Sequence, residues 1–325
     1  MKNFRLGFGP MSPEVINAIG TYATIRKYPL MIIASRNQVD SDGGYVMTTK
    51  QLAEQVKNFD RNYLKLCRDH CGPYFLDAEK DLSGVQAVEA TKKTIAGDIE
   101  AGFDLIHIDT SRCLGTYHVA EELIKFCLDL NPNIKFEFGT EENVGVAAGV
   151  QKYRDDVKFA SQFPNMEFVV AQTGSLVMED RQAGTFNDAI VEELVGIANE
   201  AGIKLKEHNA DYLTIEQIQQ RRAVGVHALN IAPQLGVIQT KVLKQFAMRY
   251  GAESAWYEFV AEVLGSNKWK KWIVDGDSNK KVDIAGHYLF NHASYREVIR
   301  NTPTEWRDAV STEIHTLINN YAENI

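Results

Sequence analysis

Asp69 and His70 stand side by side, and a second histidine with polar neighbours, His208, lies far downstream between Glu207 and Asn209. Neutral imidazoles bind metal ions, and carboxylates either join them or move protons. His70 and His208 with one carboxylate make the mixed set that Zn²⁺, first, or Mn²⁺ accepts, with positions left open for substrate oxygens. Glu137 and Glu141 both offer that carboxylate, and a strand bulge would decide which of them faces the others. Adjacent strand residues point to opposite faces, so Asp69 and His70 share a site only where a bulge or a strand end relaxes the alternation. More polar groups follow apolar runs: Asn37 and Gln38, Asp109 and Ser111, Gln172, and Asn230. A purely structural sheet has no need to end so many strands in such groups.

Residues this far apart meet only if the fold gathers them. Apolar runs at 29–35, 63–67, 103–109, 134–139, 166–172, 203–208, 226–232 and, more weakly, 283–290 read as buried strands. Amphipathic segments between them read as helices, and each such crossover returns the chain to start a parallel strand. A doubly wound open sheet also alternates. No glycine-rich phosphate loop follows the run at 29–35, and polar residues gather at the C-terminal ends of the runs, which favours a closed (β/α)8 TIM barrel. The expectation is a single α/β barrel domain over 1–325, with a helical insertion at about 252–281 before the last strand and a C-terminal helix. In that frame His107 reads as barrel packing, with support of a neighbouring site residue as the alternative, and His227 as structural. His118, His292 and His315 read as solvated on helices, and His287 falls between rim and core.

Charge and composition exclude other classes. A net charge of -8 opposes a nucleic-acid surface. No stretch approaches the roughly 20 apolar residues of a membrane span, and the first residues have no signal-peptide pattern. Cys67, Cys71, Cys113 and Cys127 are few and scattered, the usage of free thiols in a reducing compartment, so a cytoplasmic protein is expected.

The stretches SRNQVDSDGGYVMTT, RDHCGPYF, AGFDLIHIDTS, FGTEENV, VVAQTGS and KEHNADYLT resemble, in order from about 29 to 240, the barrel motifs of the Z-type, non-catalytic subunit family of class II tagatose-bisphosphate aldolase and its relatives. More distantly they are similar to class II fructose-bisphosphate aldolases. The resemblance implies His70 and His208 as metal ligands, Asp69 as the proton-transfer group, and Glu141, or alternatively Glu137, as ligand or acid/base. It also implies a substrate site lined by Asn37, Gln38, Asp109, Ser111 and Gln172, with Asp109 a further catalytic candidate. Arg36 and Arg112 depart from the family pattern and are candidates for bidentate binding of a carboxylate or phosphate. The expected activity is metal-dependent cleavage or formation of a C–C bond in a ketose or ketose phosphate. A sugar 4-epimerase built on the same groups is the second expectation. A non-catalytic subunit supporting a separate aldolase chain is the third, and the expected assembly is either a homo-oligomer or a complex with that partner chain.

Overall fold

Ser12, Thr48, Ser83 and Thr214 each follow a loop and precede an apolar-periodic segment, and each side chain accepts a backbone N–H three residues on. In the last three, Gln51, Gln86 and Gln217 reach back to the cap backbone and complete capping boxes. Four helices thus start where short-range chemistry directs them. The structure, a computed structural model, describes residues 4–325 apart from 115, 143, 148 and 275.

Eight parallel strands close into a (β/α)8 barrel: β1 (Leu6–Phe8), β2 (Leu30–Ser35), β3 (Leu64–Cys71), β4 (Leu105–Asp109), β5 (Lys135–Gly139), β6 (Met166–Ala171), β7 (Lys204–Glu207) and β8 (Ala228–Ile231). The alternating helices are α1 (Pro13–Arg26), α2 (Thr49–Val56), α3 (Gly84–Glu100), α4 (Thr116–Leu130), α5 (Val150–Ala160), α6 (Asp188–Glu200), α7 (Ile215–Ala223) and α8 (Pro233–Arg249). Their apolar faces, among them Leu123, Ile124, Val157, Leu194 and Leu243, pack on the outside of the barrel. Inside it, Phe4, Met31, Ile33, Cys67, Leu105, Phe168 and Ala228 form a separate apolar plug.

Two sequence expectations fail. The closing strand is Leu6–Phe8, which pairs with β2 on one side and β8 on the other; at three residues it carries too little pattern to be read as a strand. With the barrel closed by β1 and β8, the run at 283–290 has no edge left to join. It is instead a helix, α10 (Ser278–Ala285), continued by a 3₁₀ turn at Gly286–Leu289. Asp277 caps α10 by accepting Lys280 N–H. The segment at 252–281 is helical but follows the last strand instead of preceding it: α9 spans Glu253–Gly265. Two more helices, α11 (Ala293–Arg300) and α12 (Trp306–Asn324), complete the chain, with Trp256 and Trp306 fully buried. Among the described residues no helix is long and apolar enough to cross a membrane.

Candidate metal centre

The strand ends converge at the C-terminal rim, and a local distortion of β3 makes the convergence possible. Arg68 pairs with Ile106 and Cys71 with Ile108, so three steps on β3 oppose two on β4. The extra residue is absorbed at His70, whose φ of 47° places a non-glycine residue in the left-handed region. Such conformations cost on the order of 1–3 kcal/mol and persist where the surroundings fix them. Here the bulge lets consecutive residues, Asp69 and His70, turn toward one space. Gly72 follows, and a Cβ there would lie 1.6 Å from the carbonyl oxygen of Asp109, so the turn demands glycine.

Asp69, His70, His107 and His208 offer ligand atoms that all lie within 4.8 Å of one another. The three imidazole rings are mutually 5.1–5.3 Å apart, with His208 edge-on to both partners. Asp69 sits among them, with Oδ1 3.2 Å from His107 Nδ1 and 3.8 Å from His208 Nδ1, and Oδ2 3.8 Å from His70 Nε2. Burial opposes a charge on Asp69, but His70, His208 and His107 outweigh it and hold the carboxyl well below its usual range. On the other side of His70, Asp109 Oδ2 lies 2.6 Å from Nδ1, while Asp109 Oδ1 accepts Ser111 N–H at 3.0 Å. Burial works against protonated His70, yet Asp69 and Asp109 together raise it to about 9.

Behind His208 lies a buried charge relay. Glu137 Oε1 is 2.6 Å from His208 Nε2, and Glu137 Oε2 is 2.6 Å from Lys206 Nζ. All three side chains are nearly inaccessible. Burial disfavours the Glu137 carboxylate, but Lys206, His107 and His208 lower its pKa nonetheless. An ionised Glu137 accepts Nε2–H, which leaves the Nδ1 lone pair of His208 turned toward Asp69. Three imidazoles with one carboxylate suit a borderline divalent ion, and His208 is already held in the tautomer a metal ligand needs. The residues present therefore fit a metal ion.

The other sequence candidates fall into place around this cluster. Asn230 Nδ2 lies 3.0 Å from His208 Nε2, inside the site. Glu141 is exposed and outside the cluster; its backbone carbonyl accepts Gln172 Nε2 at 3.0 Å. Gln38 is buried and spends its oxygen on Ser35. Asn37 is exposed and donates to Phe75 O at 2.8 Å. Arg36 faces away from the rim: it is 2% exposed, pairs with Glu79 through both terminal nitrogens, and donates to Gly72 O at 3.0 Å. Its guanidinium braces the turn after His70 and is not available to a substrate. Arg112 is exposed, pairs with Glu142 at 2.8 Å, and lies 4.5 Å over Phe75, whose ring stacks on His70 at 5.4 Å.

His107 belongs to the cluster, where the sequence suggested packing. The available signal was its i, i+2 relation to Asp109, which puts both on one face of β4. Lys206 shows the same relation to His208. The cysteines add no ligands: all four are free, and burial pushes the Cys71 thiol up to about 12. His287 is buried in the core, away from the barrel strands.

A family described as D-tagatose-1,6-bisphosphate aldolase subunit GatZ/KbaZ-like matches residues 10–124, the part of the chain that holds Asp69, His70, His107 and Asp109. Among solved structures, the chain is similar to a probable tagatose 6 phosphate kinase from Sinorhizobium meliloti 1021, at 21% identity and a TM-score of 0.81, with 99% of this chain and 100% of that chain covered. It is also similar to the YdjI aldolase from Escherichia coli K12, at 11% identity and a TM-score of 0.57, with 99% and 93% covered. For the fructose-bisphosphate aldolase of Campylobacter jejuni the values are 12%, 0.59, 99% and 90%. At these identities the likeness to solved structures establishes the fold.

Proposed function

We propose that this chain is a divalent-metal enzyme of the class II aldolase type, cleaving or forming a C–C bond in a ketose. The observation that carries the reading is the convergence of His70, His107 and His208 around an ionised Asp69 on one barrel rim. When bound, the ion, zinc by preference and manganese second, would supply Lewis-acid polarisation of the ketose carbonyl.

The rest of the chemistry falls to the chain. Asp69 takes the proton of the C4 hydroxyl. The C3–C4 bond then breaks, C4 becomes an aldehyde, and the electron pair passes to C3 and the C2 oxygen. Asp109 fixes the ring of His70, and Glu137 with Lys206 fixes that of His208. Asn230 offers an amide to the same space, while Phe75 stacks on His70 and carries Arg112 over its ring. Re-forming the bond after the aldehyde has turned would invert the C4 hydroxyl, so a 4-epimerase is the close second reading on the same groups.

A subunit that supports a separate aldolase chain is the third reading, favoured by the description of the matching family as a subunit. Metal content of the purified chain and of a His70→Ala/His208→Ala variant separates these. Near-stoichiometric metal in the wild type, lost in the variant, together with turnover of a ketose or ketose phosphate, supports the enzyme. A wild type that stays empty after incubation with Zn²⁺ or Mn²⁺ sinks it and directs the search to a partner chain.

A further inference from the structure

In barrels of this architecture the loops after the seventh and eighth strands, with a nearby helix N-terminus, make the usual seat for a phosphate, because unspent backbone N–H groups there point at the ligand. In this chain the corner is already filled. Asp211, on the loop after β7, is completely buried, and its Oδ1 accepts Ala232 N–H at 3.0 Å and Gln234 N–H at 2.9 Å at the start of α8. Three further backbone donors of the loop are spent as well. Ala210 N–H goes to Asn230 O, Tyr212 N–H to the Gln234 side chain at 2.8 Å, and Leu213 N–H to Tyr321 Oη at 3.3 Å. Tyr321 in turn donates to Ala210 O, and Gln182 donates to the carbonyls of Asn209 and Asp211. The nearest buried cations are also committed, Lys206 to Glu137 and Arg221 to Glu207.

Building on the aldolase-type reading above, we infer that Asp211 is a specificity-determining residue: its carboxyl group occupies the anion seat between β7 and β8, and the ketose end that lies against this corner carries a free hydroxymethyl group in place of a phosphate. The argument rests on occupancy. A phosphate could reach the two amides only by displacing a buried side chain whose oxygen already satisfies both, and the N–H groups of Ala210, Tyr212 and Leu213 are already bonded elsewhere. A neutral hydroxymethyl group needs neither amide and is not opposed by a neighbouring carboxyl.

The test is a titration of the holoprotein with inorganic phosphate and with a ketohexose 1-phosphate, following the amide resonances of Ala232 and Gln234. In the wild type neither ligand should shift these amides, and the free ketohexose should bind about tenfold tighter than its 1-phosphate. Asp211→Gly, which bares both amides, should gain saturable phosphate binding with shifts at Ala232 and Gln234. Should Asp211→Gly fail to fold, Asp211→Asn keeps an acceptor oxygen in place and should ignore phosphate as the wild type does. Saturable phosphate shifts at both amides in the wild type, a 1-phosphate that binds tighter than the free sugar, or a folded Asp211→Gly that gains no phosphate binding would each overturn the assignment. Metal content, measured on the same samples, reports separately on the underlying aldolase-type reading.

Discussion

His208 hands its Nε2 to Glu137 at 2.6 Å, and the same carboxylate reaches Lys206 at 2.6 Å with its other oxygen. A buried ion pair gains little over well-packed apolar side chains, but removing one member strands the other and costs about 3–5 kcal/mol. Glu137→Gln and Lys206→Met should therefore both lower stability by roughly that amount. Groups that orient a metal-binding histidine typically set affinity by about 10–100-fold. Competition with a chromophoric chelator should show a loss of that size in both variants. Unchanged metal affinity in a folded Lys206→Met would remove Lys206 from any role in the centre.

Asp69 lies within reach of three imidazoles, which makes it either a ligand or the proton carrier. Asp69→Asn should keep its metal on the three histidines and lose turnover by about 10²–10⁴-fold, the usual contribution of a positioned acid or base. Loss of metal in step with activity would instead mark Asp69 as an indispensable ligand.

Gly72 tests the frame around the bulge. Any side chain at this position must displace the Asp109 backbone, which a Cβ would meet at 1.6 Å. Since Asp109 anchors His70, Gly72→Ala should cost about 1–3 kcal/mol of stability by overpacking and also weaken metal binding. Thermal unfolding and metal content, measured together, check this; a variant with wild-type values in both contradicts the close approach.

His287 gives a pH signature unconnected with the centre. Burial, helped by nearby Lys271, lowers its pKa from 6.5 to about 3, so the native state holds it neutral. Between those values the unfolded chain binds a proton that the folded chain refuses, so stability rises with pH across this window. The contribution is complete above the unfolded pKa and is lost as pH falls toward about 3, reaching about 3 kcal/mol near pH 4. His287→Gln should flatten the acid limb of the urea-midpoint profile relative to wild type. Parallel profiles would show that His287 titrates normally.

The barrel was legible because seven of its strands are long enough to announce themselves and their helices carry capping chemistry such as Ser83 with Gln86. Leu6–Phe8 was not, because three residues display no period. The run at 283–290 mixes apolar and polar residues in a way that suits a strand or a helix equally, and only closure of the barrel elsewhere decides between them. At the rim, Asp69, His70 and His208 stood out as polar groups at strand ends. Arg36 looked equally available from the sequence, because its partner Glu79 lies on a distant turn with no local signature. Lys206 was hidden for a different reason: a lysine is almost never expected inside a barrel, and only the three-dimensional pairing with Glu137 makes one tolerable there.

The short strand that closes the cylinder has a consequence for how the chain is made. Leu6 pairs with Leu229, so the first strand must wait until most of the chain has left the ribosome before its second neighbour exists. Contacts so distant in sequence form slowly, because the loop between them must be closed before they repay it. During synthesis the nascent sheet is an open ribbon, and the unpaired margin of β1 exposes backbone groups that another chain could capture. The same pairing that completes the finished barrel makes its maturation a race between self-closure and intermolecular capture, and sets the period in which a chaperone would matter most.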